Sequence, residues 1–196
     1  MNIKGSIKDR YIPEMTRSEV FGHTLVEGKA GAVCGTSGII EQLSMEMIDK
    51  KAYLEIGTFD GVLISILAEQ FPDKHFYAID SFECAENTGS GCFAHFCENN
   101  KHLDNVTLCV GRSSEILPEI TWMFDVIFID GDHSYEAVMN DIVFSSKKLL
   151  PEGKMIFHDF MHMPSVKKAV TKFGYENKED FKFVLGPGFC VTLERR

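Results

Sequence analysis

Glu55, Asp80, Asp130, Asp159 and His133 stand where apolar runs meet turns, the usual position of groups that bind or react. Leu54-Glu55-Ile56 leads into Gly57-Thr58-Phe59-Asp60-Gly61, and Phe76-Tyr77-Ala78-Ile79 ends at Asp80. A carboxylate accepts two hydrogen bonds at once, so Asp80 suits the paired hydroxyls of a ribose. Gly57 and Gly61 suit a turn whose backbone passes close to a ligand, because a Cβ there fills space. Asp130, Asp132 and His133 follow another apolar run, Phe124-Asp125-Val126-Ile127-Phe128-Ile129. An imidazole in that loop is a candidate general base, since it takes a proton near neutral pH. Asp159 closes Lys154-Met155-Ile156-Phe157-His158.

The elements that must position these groups alternate between apolar strands and amphipathic helices. Strands are expected at 52–56, 75–79, 106–110, 124–129 and 154–157, each almost wholly apolar, as when helices cover both faces of a sheet. Helices are expected at 39–49, at 62–70 before Pro72, at 93–103, at 113–117 before Pro118, at 135–150 and at 164–173. Pro151-Glu152-Gly153 reads as the turn that ends the fifth of these, and Pro164 suits a first helical turn. Strands at 181–185 and 189–193 flank Gly186-Pro187-Gly188, which punctuates a hairpin. The fold predicted is α/β: a doubly wound, mostly parallel seven-stranded sheet with an antiparallel C-terminal strand and helices on both faces. Residues 1–196 read as a single domain in which 1–38 form an irregular arm.

Composition narrows the function classes. A formal net charge of −9 argues against passive nucleic-acid binding, which needs clustered Lys and Arg. No apolar run approaches the ~20 residues that span a bilayer, and Met1-Asn2-Ile3-Lys4-Gly5 lacks the apolar centre of a secretory signal. The cytoplasm is the expected compartment, with no membrane partner. The 6 cysteines include no Cys-x-x-Cys pair and read as reduced thiols. Cys84, Cys92, His95, Cys97 and His102 have metal-binding side chains, but their spacing fits no compact zinc module.

From about residue 40 onward the chain resembles the Rossmann-like S-adenosylmethionine-dependent methyltransferases. Four segments carry the resemblance in order: Leu54-Glu55-Ile56-Gly57-Thr58-Phe59-Asp60-Gly61; Ile79-Asp80; Phe124 to Glu136 with its Asp130-Gly131-Asp132-His133; and Leu149-Leu150-Pro151-Glu152-Gly153-Lys154-Met155-Ile156-Phe157-His158-Asp159. The last two are similar to macrocin-type small-molecule O-methyltransferases. The resemblance implies S-adenosylmethionine as cofactor, held by Glu55, Gly57, Thr58, Phe59, Gly61, Asp80, Ser81, Ser113 and Asp130. It also implies methylation of a hydroxyl on a small molecule such as a sugar or a secondary metabolite. His133, Asp130 and Asp132 are the candidate catalytic residues. Asp130 and Asp159 resemble part of the Mg²⁺ site of metal-dependent relatives, and hard oxygen ligands suit that ion. Phe160 stands where those relatives carry another ligand, so a metal here needs Asp132, His133 or His158 as a third group.

The insertion at 81–103 would cover the acceptor cleft, and homo-oligomerisation is left open. Two rivals remain. One is a cofactor-binding module or sensor without catalysis. The other is a nicotinamide-dependent oxidoreductase, which lacks its Gly-x-Gly-x-x-Gly here.

Overall fold

The computed structural model describes residues 19–20, 23–25, 32–34, 38–83, 92–185 and 190–196, with side chains from residue 38 onward except Cys92. Ten strands and six helices alternate along these segments. β1 (Glu19–Val20), β2 (His23–Leu25) and β3 (Ala32–Cys34) come first. α1 (Gly38–Met47), β4 (Ala52–Ile56), α2 (Val62–Gln70), β5 (His75–Asp80) and α3 (Cys92–Asn100) follow. Next are β6 (Val106–Val110), α4 (Ser113–Glu119), β7 (Phe124–Ile129), α5 (Tyr135–Lys148) and β8 (Leu149–Phe157). α6 (Pro164–Glu176), β9 (Phe181–Leu185) and β10 (Val191–Arg195) complete the order.

The large sheet has seven strands in the order β6-β5-β4-β7-β8-β10-β9. β4 to β8 pair in parallel, and β10 runs antiparallel between β8 and β9. The predicted doubly wound sheet with an antiparallel C-terminal strand is therefore the one found. From β4 the chain winds outward to β5 and β6, then returns to β7 and β8 on the other side. That reversal opens a crevice at the carboxyl ends of β4 and β7.

Each strand's alternation divides the core. Tyr53, Val126, Phe128 and Ile156 pack under α1, α2 and α3 on one face. Leu54, Ile127, Ile129, Met155 and Phe157 pack under α4, α5 and α6 on the other. A fully buried Ile or Phe of this kind contributes about 1.5–3 kcal/mol. Asp125, the acid within the apolar β7, turns outward, and its Oδ2 accepts from the N–H groups of Lys51 and Ala52 at 2.9 and 3.0 Å. One side chain thus aligns the start of β4 with β7.

The structure departs from expectation in three places. The arm was expected to be irregular, yet its described residues form a three-stranded antiparallel sheet, β1-β2-β3. Strands of two or three residues are too short to show a period in sequence. Pro151-Glu152-Gly153 is no turn: β8 starts at Leu149 and runs through it, with Glu152 at φ 57 and a register shift opposite Phe124 and Val126. The Pro and Gly mark a bulge. The final strand runs from Val191 to Arg195, with Cys190 outside it, instead of ending at 193. Residues 84–91 of the insertion expected to cover the cleft, Cys84 among them, and the expected hairpin punctuation at 186–188 lie outside the described residues.

Candidate functional site

The turn after β4 is held from three sides. Gly57 has φ 85, and a Cβ there would meet Asp130 O at 2.3 Å and Gly131 Cα at 2.6 Å. The close approach this glycine serves is between two backbones, the β4 turn and the loop after β7. Gly61 has φ 70, and a Cβ would meet Phe96 and Asn100 of α3 at 2.4 and 2.5 Å. The amides of Asn99 and Asn100 donate to Asp60 O and Gly61 O at 2.9 and 3.2 Å. The described part of the insertion thus packs on the glycine turn. Within the turn Thr58 is buried, and Asp60 Oδ1 accepts from Val62 N–H at the start of α2.

Asp80, at the carboxyl end of β5, ties two strained residues. Its Oδ2 accepts from Phe59 N–H at 2.8 Å and its Oδ1 from Phe82 N–H at 2.7 Å. Phe59 and Phe82 have φ 53 and 56, a left-handed conformation unusual for large side chains. Strain of this kind collects at functional rims. Burial pushes Asp80 above the ordinary carboxylate range, against the pull of the two N–H groups. Each oxygen keeps a lone pair beyond those bonds, so the carboxylate can still receive a diol.

Glu55 lies deeper, 2% exposed, with Tyr53 Oη donating to its Oε2 at 2.9 Å. Burial raises its pKa to about 8. Glu55 is therefore a largely protonated group supporting the turn from below.

Ser81 and Ser113 do not converge with this group through their hydroxyls. Ser81 Oγ accepts from Glu83 N–H at 3.4 Å, and Ser113 Oγ donates to Asp141 Oδ1 on α5 at 2.5 Å. Burial lifts Asp141 to about 6, with Ser113 opposing the shift. Arg112 closes the same side by a bidentate contact to Glu83, at 3.4 and 2.8 Å.

Across β4 the second cluster forms where β7 and β8 end. Asp130 Oδ1 lies 3.3 Å from His133 Nε2 and 3.1 Å from His158 Nδ1. Asp159 Oδ2 lies 3.5 and 3.3 Å from the same two nitrogens. Two carboxylates and two imidazoles thus share one contact zone. Burial works to raise Asp130, but hydrogen bonds from both histidines outweigh it and its pKa is lowered. The hydrogen bond to Asp130 raises His133 against its burial. Burial lowers His158, yet Asp130 and Asp159 outweigh that and the net direction is up. Asp159 has φ 54, and its carbonyl accepts from His162 and Met163 N–H at 3.0 and 2.8 Å. Ser165 Oγ donates to His133 O at 2.5 Å, which anchors the loop to α6.

Asp132 stands outside this cluster. It is exposed, and its Oδ1 accepts from Ser134 N–H at 2.7 Å just before α5. Sequence reasoning offered His158 only as one of three alternatives for a third metal group; the structure makes it 3% exposed and a full member of the cluster. Its sequence signal was its place beside Asp159 at a strand end.

Asp130, His133 and Asp159 each offer a ligand atom within 4.8 Å of the others, close enough for one cation to bridge. Among the described residues no other such group of His, Cys, Asp or Glu exists. His102, from the cysteine-histidine set noted above, instead lies 2.7 Å from Glu69.

The model of the methyltransferase domain family matches residues 54–160, more than half of the 196 residues, including Glu55, Asp80, Asp130, His133, His158 and Asp159. The chain belongs to the methyltransferase domain family. This methyltransferase is 29% identical over 147 residues to an uncharacterised protein of Acanthamoeba polyphaga mimivirus. The match takes in 69% of this chain and 66% of that protein, just under two thirds of its length. Its fold is similar to the O-methyltransferase NovP (TM-score 0.65, 18% identity, 80% of this chain and 77% of that one). It is also similar to the O-methyltransferase TomG from Streptomyces achromogenes, solved in complex with SAM (TM-score 0.59, 18% identity, 87% and 84% covered). No described helix of the methyltransferase is long and apolar enough to cross a membrane.

Proposed function

We propose that this methyltransferase moves the methyl group of S-adenosylmethionine to a hydroxyl of a small molecule such as a sugar or a secondary metabolite, in the cytoplasm. The carrying observation is the arrangement at one carboxyl edge: a half-buried acid, Asp80, at the end of β5 beside β4 and an acid-histidine cluster, Asp130-His133-His158-Asp159, on the other flank of β4. The names of NovP and TomG support the reaction class.

The residues fit the cofactor, because Asp80 keeps lone pairs at the cleft and the turn after β4 is pinned by Asp60, Gly61 and the α3 amides. S-adenosylmethionine supplies a methyl group on sulfonium sulfur. Asp80 takes the ribose hydroxyls, and Gly57, Thr58, Phe59 and Gly61 shape the turn beside it. With its Nε2–H turned to Asp130 and Asp159, His133 would use its other ring nitrogen, Nδ1, to accept the acceptor's hydroxyl proton as the methyl group is transferred. Asp130 and Asp159 stabilise the resulting imidazolium, each being within 3.5 Å of its Nε2.

The donor set also fits a divalent cation, with Asp130, His133 and Asp159 as ligands. Mg²⁺ there would acidify the acceptor hydroxyl. Titration with S-adenosylhomocysteine, with EDTA and with Mg²⁺, followed by an acceptor screen, tests the reading. Saturable binding with transfer to a hydroxyl supports it. Saturable binding without transfer to any acceptor favours a non-catalytic module, and absence of binding to folded protein removes both.

A further inference from the structure

One buried acid takes no part in the transfer chemistry. Asp141, on the second turn of α5, is 3% exposed. It packs against the loop after β7, where a Cβ on Gly131 would meet its Oδ2 at 3.7 Å. Its Oδ1 accepts from Ser113 Oγ at 2.5 Å, a bond that crosses from α4 to α5. The charged group acting on it among the described residues is Asp132, which disfavours its ionisation as burial does. No lysine, arginine or histidine of α4, α6 or the adjoining strands pairs with it among those residues. Ser113 is half-buried at the first turn of α4, and its hydroxyl makes no other hydrogen bond to a described residue.

Sheet order fixes what lies above Ser113. The strands run β6-β5-β4-β7-β8, and Gly111 N–H donates to Asp80 O at 2.9 Å. The loop that leads to Ser113 therefore adjoins the acid assigned to the ribose. With the ribose on Asp80, the methyl group must point across β4, because the acid-histidine cluster stands at the ends of β7 and β8. The base then lies on the opposite side, over the loop after β6. An adenine there presents an exocyclic amine, a donor that needs an acceptor.

A serine hydroxyl can donate or accept, and its proton rotates to suit its neighbours. An ionised carboxylate only accepts, so Asp141 fixes the Ser113 O–H inward and leaves its oxygen lone pairs for the cleft. Given the proposed methyl transfer, on which the place of the ribose rests, we infer that Asp141 is a positioning residue that makes Ser113 an acceptor only, and so selects a base with an exocyclic amine. Protonation of Asp141 removes that constraint. Its own O–H then donates to Ser113 Oγ, and the serine proton turns toward the base, where it meets the hydrogens of the amine. Burial lifts Asp141 to about 6, so the carboxylate prevails above that pH and the acid below it.

The test compares S-adenosylhomocysteine with S-inosylhomocysteine, which carries a carbonyl in place of the amine, by calorimetric titration into the full chain. At pH 7 wild type should bind the adenosyl compound at least roughly tenfold more tightly, since the carbonyl meets lone pairs. Asp141→Asn gives Ser113 a partner that donates as well as accepts, and the preference should shrink to within about threefold. Ser113→Ala, at a half-buried position, should lose the preference too, and serves if the Asn variant does not fold. Between pH 7 and 5 wild-type affinity for S-adenosylhomocysteine should fall up to about tenfold as Asp141 gains its proton. Asp141→Asn should lack that part of the fall, whereas Asp80 contributes equally in both proteins. A purely structural tie between α4 and α5 would weaken both compounds alike in the variants; an unchanged ratio therefore overturns the inference. So do equal affinities in wild type, or parallel pH profiles for wild type and Asp141→Asn. If neither compound binds folded wild type, the inference goes together with the transfer reading.

Discussion

Replacing Asp80 by Asn should separate ligand binding from stability. The carboxylate accepts two backbone N–H groups, at 2.8 and 2.7 Å. Asn keeps one acceptor oxygen and turns an NH₂ group toward the other N–H. A hydrogen bond to a charged group is worth about 1.5–3 kcal/mol and one between neutral groups about 0.5–1.5. Against that loss stands a gain. The pKa of Asp80 is raised because burial disfavours its charge more than the two N–H groups favour it, so a neutral side chain relieves desolvation. The two effects oppose each other, and the apo protein should lose no more than about 1 kcal/mol, or ~2–4 °C in melting temperature for a chain of this size.

Cofactor binding has no such compensation. Losing the charged acceptor of a ribose hydroxyl costs about 1.5–3 kcal/mol, or roughly 10- to 150-fold in affinity for S-adenosylhomocysteine. Asp80→Ala should abolish detectable binding. The assay is calorimetric titration paired with thermal melts of the ligand-free proteins. Affinity within threefold of wild type in Asp80→Asn would refute the ribose assignment. A melting loss beyond about 10 °C would refute the compensation argument, because the side chain would then be chiefly a structural clamp.

The remaining predictions probe the turn, the base, the buried acid and the metal. Gly57→Ala forces a Cβ to 2.3 Å from Asp130 O at φ 85; left-handed strain plus overpacking should destabilise by about 3–5 kcal/mol in urea unfolding, and a loss under 1 kcal/mol would contradict the close approach. His133→Ala should keep cofactor affinity and slow transfer about 10²–10⁴-fold; unchanged turnover removes it as base. Glu55 has a folded pKa of about 8 against 4.5, so the folded state holds the extra proton and stability falls as pH rises between those values. Relative to Glu55→Gln the slope should reach at most about 1.4 kcal/mol per pH unit, and parallel stability–pH curves for the two proteins would refute it. If Asp130, His133 and Asp159 hold Mg²⁺, EDTA should suppress transfer and Asp159→Asn should weaken Mg²⁺ binding; full activity in EDTA leaves His133 to act unaided.

Strand-ending acids were legible in the sequence because each sits at the boundary between an apolar run and a turn, and a parallel sheet places all such boundaries on one edge. Asp80, Asp130 and Asp159 could thus be assigned to one cleft without coordinates. The glycine turn was legible for the same reason. Short-range patterns do not say which atoms meet, however. That Gly57 makes room for the Asp130–Gly131 backbone depends on β4 pairing with β7, strands separated by about 70 residues of chain. His158 was one of three alternatives for a third metal group, and only the pairing of β7 with β8 turned it inward against Asp130. Asp132, with the same residue type two positions from Asp130, was turned outward to hold Ser134 instead. Residue type and spacing determined the fold class, the cleft edge and the candidate acids. Pairing between distant strands, which local sequence does not encode, decided which of them share charge.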